Sequence, residues 1–155
     1  MSPRAAWRLE SLGFRAVSDY VTGKLDWFAS GLPIEGKQAG VPRAGQVARR
    51  EVPTCHVTDR LGDVGDRVQK AGWDVCVVIG GNSVVLGLLR GDVFTAAPET
   101  IIEYVMESGP STIRPHVTVE SMIESMRKQR VEHSVVTTLD GRLVGVLYRK
   151  DIEQA

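Results

Sequence analysis

The chemically capable residues of this chain are few, and their spacing limits what they can do. It has two cysteines, Cys55 and Cys76, too few for a disulfide framework or a cysteine zinc site. Cys55 stands five residues before Arg60. A thiol beside a basic group is a nucleophile only where it lies exposed in an electropositive cradle of backbone N–H groups. His56, His116 and His133 are too dispersed to make a metal triad. No phosphate-cradling G-x-x-x-x-G-K-[ST], no H-E-x-x-H and no G-x-S-x-G elbow occurs. Gly80 and Gly81 read as a hairpin turn and Gly87 lies inside a strand, so with Gly91 they do not form a dinucleotide loop. No catalytic or metal-ligating residue is therefore assigned, and no cofactor is required.

Nineteen basic residues cancel nineteen acidic ones among 155. No net field draws the chain to nucleic acid or to an anionic membrane, and no strip interleaves aromatic with basic residues. The longest apolar runs, around VCVVIGG and VVLGLL, are too short to span a bilayer, and MSPRAAWRLE holds no apolar stretch of signal-peptide length. The expectation is a soluble, cytoplasmic protein with neither a membrane nor a nucleic acid as partner.

The organising feature is a repeat. Shifted by 58 residues without a gap, Val47 falls on Val105, Thr54 on Thr112, Val64 on Met122, Val68 on Met126, Val77 on Val135, Gly87 on Gly145 and Leu89 on Leu147. Apolar positions keep matching apolar positions, which marks a repeated supersecondary unit. Cys55 falls on Ile113 and Cys76 on Ser134, so both thiols read as buried small hydrophobes. Each copy should run through a short leading helix, a short strand, a helix, two strands in a hairpin and a closing helix. In copy two these are IIEYVM after Thr100, Thr112–Arg114, a helix capped by Thr118, strands His133–Thr138 and Arg142–Tyr148 around Asp140-Gly141, and a helix from Lys150 to Gln154. In copy one they include Thr54–His56, a helix capped by Thr58 or Asp59, and strands Val75–Ile79 and Val84–Leu89. A unit of this size is marginal alone, and two stacking sheet against sheet would share a core. The predicted class is α/β (α+β), with residues 42–97 and 98–155 as two β-α-β-β-α repeats packed about a pseudo-two-fold axis, and residues 1–40 as an extension. The Gly- and Pro-bearing stretch from Gly31 to Gly45 reads as the linker.

Together these marks resemble a tandem pair of CBS domains (a Bateman module) over about residues 42–153. The most telling is the glycine-led strand running into an aspartate, Gly145-Val146-Leu147-Tyr148-Arg149-Lys150-Asp151. The resemblance implies a stand-alone regulatory module. It would bind an adenosine-containing ligand (AMP, ADP, ATP, S-adenosylmethionine or NAD) between the copies and signal to a regulated protein not named by the sequence. It implies a homodimer too, for which the apolar stripes of 61–71 and 119–126 are the expected faces. It places Asp151 on the ribose hydroxyls and the backbone of Thr112-Ile113-Arg114-Pro115 on the adenine edge. Tyr148 would lie beside the sugar, and Arg114, His133 or Arg90 near the phosphates. The chain departs from the family pattern where Tyr148 and Arg90 replace a small hydroxyl residue and where Val93 replaces the copy-one acid. An alternative is therefore a ligand-free structural or interaction module.

Residues 12–36 resemble the C-terminal tail of a rhodanese-like domain at Gly13, Phe14, Val17, Gly23, Trp27, Gly31, Leu32 and Pro33. This implies a strand leading into a final helix, and a third reading as a sulfur-handling protein. The residues ahead of this tail do not read as the catalytic part of such a domain. Trp27, Phe28 and Leu32 are expected to pack on the CBS-like pair or on a second subunit.

Overall fold

The structure is a computed structural model that describes residues 3–37 and 39–153. The N-terminal extension carries α1 (Pro3–Ser11) and α2 (Gly23–Ala29). Copy one contains α3 (Ala44–Val47), β1 (Thr54–Cys55), α4 (Leu61–Lys70), β2 (Val75–Ile79) and β3 (Val85–Arg90). Copy two contains β4 (Glu107–Ser108), β5 (Thr112–Ile113), α5 (Val119–Gln129), β6 (His133–Thr137), β7 (Leu143–Tyr148) and α6 (Arg149–Glu153). The sheets run β1-β2-β3-β4 and β5-β6-β7.

The repeat in sequence is a repeat in register. Thr54 pairs with Val77 in parallel, as Thr112 does with Val135. Val75 pairs with Arg90 across an antiparallel hairpin, as His133 does with Tyr148. Even the irregularity recurs, between Val78 and Ile79 and between Val136 and Thr137. Val84 bridges Arg142, its own counterpart in the other copy, so the pseudo-two-fold axis passes between these two residues.

The leading segment of each copy crosses to the other copy's hairpin. Glu107 of copy two pairs with Leu88 of copy one, and Arg49 of copy one pairs with Val146 of copy two. The crossing also closes the helices. The first N–H groups of α4 have no partner in their own helix, and Leu61 and Gly62 donate to the carbonyls of Thr100 and Pro98. Val119 of α5 likewise donates to Pro42. This is why the side chains of Thr58 and Asp59 do not cap α4. Arg60 occupies the cap position, and Asp59 instead accepts the His56 N–H at 3.0 Å. Thr118 caps α5 as expected, accepting from the Ser121 N–H.

Three cores follow. Cys55, Leu61, Val64, Val68, Cys76, Val78, Leu89 and Ile102 pack in copy one, and Met122, Met126, Val136, Leu147 and Ile152 pack with Ala29 and Ala44 in copy two. Between the sheets lies a shared cluster of Val52, Val75, Val77, Leu88, Val135, Val146 and Tyr148. The apolar stripes of α4 and α5 are consumed here: Leu61, Val64, Val68, Met122 and Met126 are all buried inside the chain. These side chains face the sheet beneath, whereas Ala71 is exposed and Val119 and Ile123 are half-buried.

Several local expectations differ. IIEYVM makes only a 3-10 turn at Ile102–Tyr104, and copy one closes with a 3-10 helix at Gly91–Thr95 instead of an α-helix. The Gly80–Ser83 turn is a 3-10 turn with Asn82 and Ser83 at positive φ, longer than a two-residue hairpin. Gln154 of the expected last helix lies outside the described residues. Gly13–Val17 forms no strand, so the strand-into-helix order of the rhodanese-like resemblance is not present. The extension docks through α2. Ala29 is buried in the copy-two core, the Arg50 guanidinium donates to the carbonyls of Ala29 and Gly45, and the Arg43 guanidinium lies 5.0 Å from the centroid of the Phe28 ring. Trp27 and Leu32 are half-buried, and the Trp27 indole N–H donates to the Pro33 carbonyl.

Candidate functional site

The crossing builds two related clefts, one on each side of the shared core. The first joins copy one's Arg49, Trp73 and Asp74 to copy two's Tyr148 and Asp151. Asp151 sits in the first turn of α6, where an acid is favoured by the helix dipole. It is already engaged. The Arg49 guanidinium donates from Nε to Oδ2 and from Nη2 to Oδ1, both at 2.7 Å, a bidentate fork between residues 102 apart in sequence. The same guanidinium lies over the Tyr148 ring at 4.9 Å and near Trp73 at 5.8 Å. The Tyr148 hydroxyl donates to the Asp74 carboxylate, and Lys150 Nζ lies 5.2 Å from the Tyr148 ring. Tyr148 is buried, and that burial, then Asp74, holds its hydroxyl well above the usual phenol range. A cavity of about 360 Å3 lies within copy one, walled by Glu51, Val52, Pro53, Thr54, Arg67, Cys76 and neighbouring side chains and by none of the five cleft residues; Val52 joins it to the shared core that holds Tyr148.

The second cleft is its pseudo-symmetric counterpart with the charges exchanged. Glu107 stands where Arg49 does and Arg90 where Tyr148 does, and the two form an ion pair at 2.7 Å. The cavity there is only about 100 Å3, lined by Arg90, Glu107, Pro110, Ser111, His133 and Ser134 among others. A small-molecule pocket is about 300–1,000 Å3, so the copy-one cavity has the size and the second cleft does not.

The expected site residues are thus distributed. Asp151 and Tyr148 share the first cleft, whereas Arg90 and His133 line the second. Thr112 and Ile113 form β5, and Pro115 is buried with its carbonyl accepting the Gly45 N–H. Arg114 faces neither cleft's ion pair. Its guanidinium donates to Thr137 Oγ1 at 2.5 Å and to the Thr138 carbonyl, and so satisfies the one buried polar residue of the chain's described part, Thr137. Arg49, Trp73 and Asp74 were not anticipated. Their only signal in the sequence is that Arg49 lies 58 residues before Glu107, opposite in charge.

Burial first, then the positive charge of Arg90, pulls His133 below the ordinary histidine pKa, against the weaker opposite pull of Asp74, Glu107 and Glu132. A histidine neutral in the fold but protonated when unfolded favours the fold above the unfolded pKa and withdraws that support as pH falls through it. Stability is therefore expected to decline as pH drops below about 6.5. His133→Gln should flatten that slope in melts recorded between pH 7.5 and 5.5. An unchanged slope would show that another group governs it.

The thiols do not make a reactive loop. Cys55 and Cys76 are buried beside each other, Arg60 pairs with Glu99, and the hydrogen bond with Cys55 together with burial pushes the Cys76 thiol far up. Among the described residues no His, Cys, Asp and Glu cluster fit to hold a metal occurs, and no helix is long and apolar enough to cross a membrane.

Residues 101–155 match the family described as CBS domain. No curated protein matches the chain in sequence. Solved structures share its fold. The cytosolic domain of the Mg2+ channel MgtE in complex with ATP superposes with a TM-score of 0.67 at 18% identity, over 73% of this chain. The chain spans only 48% of that structure's length. The CBS domains of a transcriptional regulator from Streptococcus pneumoniae give 0.64 at 22% identity, over 71% of this chain and 95% of theirs. CBSX2 in complex with AMP gives 0.66 at 15% identity, over 73% and 94%. The fold is that of a tandem CBS-domain pair. Nothing in these comparisons supports the rhodanese-like resemblance of residues 12–36.

Proposed function

We propose that this chain is a regulatory module that binds an adenosine-containing ligand in its first cleft and transmits occupancy to a partner protein. The observation that carries the reading is the Arg49–Asp151 fork between the two copies, two residues along the chain from Glu51, which walls the copy-one cavity of about 360 Å3. A carboxylate suits a ribose diol, because it accepts both hydroxyl protons. A guanidinium suits a phosphate, because its planar fork matches the phosphate oxygens. The unliganded pair keeps each group satisfied by the other. A nucleotide supplies both replacements at once, the diol to Asp151 and the phosphate to Arg49, while Trp73 and Tyr148 offer aromatic edges to the sugar and base. MgtE with ATP and CBSX2 with AMP support this ligand class for the fold.

A second reading, a ligand-free interaction module, is favoured by Tyr148, whose buried ring takes the place of a small hydroxyl residue. Calorimetric titration of AMP, ADP, ATP, S-adenosylmethionine and NAD into the wild type and Asp151→Asn separates the two. Exchanging charged for neutral hydrogen bonds forfeits about 1.4 kcal/mol or more, so affinity should fall about tenfold. Equal affinities in both proteins would remove Asp151 from the site. Absence of heat with every ligand in the wild type would leave the interaction module.

A further inference from the structure

The N-terminal helix and the copy-one helix α4 carry two complementary features that the rest of the molecule leaves unmatched. Helix α1 buries none of its residues, and Trp7 is 69% exposed. Arg4 and Arg8, one turn apart on either side of Trp7, have no ion-pair partner among the described residues. Ala5, Ala6 and Leu9 of the same helix are half-buried, which leaves the Trp7 indole as its apolar group open to a further contact.

That surface lies on α4. A groove of about 400 Å3 is walled by Leu61, Val68, Trp73, Phe94 and Pro98 and floored by Gly62 and Gly65. Its rim carries Asp66, exposed and unpaired among the described residues. The repeat shows why the groove is open. At the equivalent place in copy two, Ile123 stands for Gly65, Ile152 for Phe94, and Arg127 of α5 forms an ion pair with Glu153 of α6 at 2.9 Å. A Cβ on Gly65 would meet nothing nearer than the Phe94 ring at 3.7 Å, so the glycine is not demanded by packing within the chain.

We infer that α1 of one copy seats Trp7 in the α4 groove of a second copy, with Arg4 and Arg8 drawn to Asp66 and its neighbour Asp63. The groove is larger than an indole and lined by the apolar and aromatic side chains that an indole packs against. The charges are opposite and unpaired on both sides, which sets orientation and favours this partner over an acidic one. With one arm and one groove in each chain, the proposed contact closes as a two-fold dimer when two copies exchange arms reciprocally. This route uses the accessible rim of the groove at Gly62, Gly65, Trp73, Phe94 and Pro98 and leaves the buried Leu61 and Val68 in place.

Sedimentation equilibrium of the full chain at tens of micromolar tests it. The wild type should be a dimer, and Trp7→Ala and Gly65→Ile should each be monomeric with unchanged melting curves. The isoleucine copies the residue already accommodated at position 123. An equimolar mixture of the two variants should recover a heterodimer, because one retains its groove and the other its arm. A monomeric wild type, variants that sediment as dimers, or a mixture that stays monomeric would each overturn the proposal.

Discussion

Gly145→Ala is expected to lower stability by about 3 kcal/mol or more, the upper range of overpacking penalties. The new Cβ would stand 2.5 Å from the Arg49 carbonyl oxygen and 3.1 Å from the Ala48 Cβ. The Arg49 carbonyl cannot retreat freely, because it accepts the Val146 N–H and the Arg49 N–H donates to the Val146 carbonyl. Moving it breaks the crossed pairing and displaces the guanidinium from Asp151. The counterpart Gly87→Ala should cost less. There the nearest atom is the Met106 sulfur at 2.7 Å, the end of a flexible side chain, with the Glu107 carbonyl at 3.1 Å. Urea midpoints of the two variants check this. A Gly87 variant less stable than the Gly145 one contradicts the argument. The shared glycine of the repeat is thus a clearance for the neighbouring copy's backbone, not a turn.

Tyr148→Ala should cost about 3–5 kcal/mol, the usual loss for deleting a buried aromatic ring. The ring bridges the two sheets in the shared core and supports Arg49 on one face. Tyr148→Phe keeps the ring and loses the hydrogen bond to the Asp74 carboxylate, worth about 1.5–3 kcal/mol for a bond to a charged group. The alanine variant should also loosen Arg49 and so weaken nucleotide binding, whereas the phenylalanine variant should bind nearly as wild type. Denaturation and titration of both variants measure the two effects separately. An alanine variant as stable as the phenylalanine one would show that the ring does not hold the sheets together.

The repeat was legible because packing repeats faithfully: Val64 and Met122, Val78 and Val136, and Leu89 and Leu147 occupy corresponding core places. The crossing was not. A leading segment that pairs with its own hairpin or with its neighbour's leaves the same apolar pattern, so Val47 over Val105 cannot tell the two apart. The α4 cap was misread for the same reason, since the carbonyls of Pro98 and Thr100 come from the other copy. The site was half legible. Asp151 is marked by the glycine-led strand before it, while its partner Arg49 lies in a segment whose position depends on the crossing. The closing helix of copy one shortened to a 3-10 turn at Gly91–Thr95, where Gly91 adopts positive φ at its start.

The crossed leading segments also set an order on synthesis. Arg49 emerges early, but its strand partner Val146 and its carboxylate Asp151 lie near the far end of the described chain. Copy one's core likewise waits for Ile102, and α4 for the carbonyls of Pro98 and Thr100. Closing such distant pairs demands loop entropy before any contact repays it, and this slows folding. A nascent copy one therefore leaves the ribosome with an open sheet edge at β3, exposed until Glu107 and Ser108 arrive to cover it. Translation pauses before Glu107 and Ser108 have cleared the ribosome would prolong that exposure, and later pauses would not.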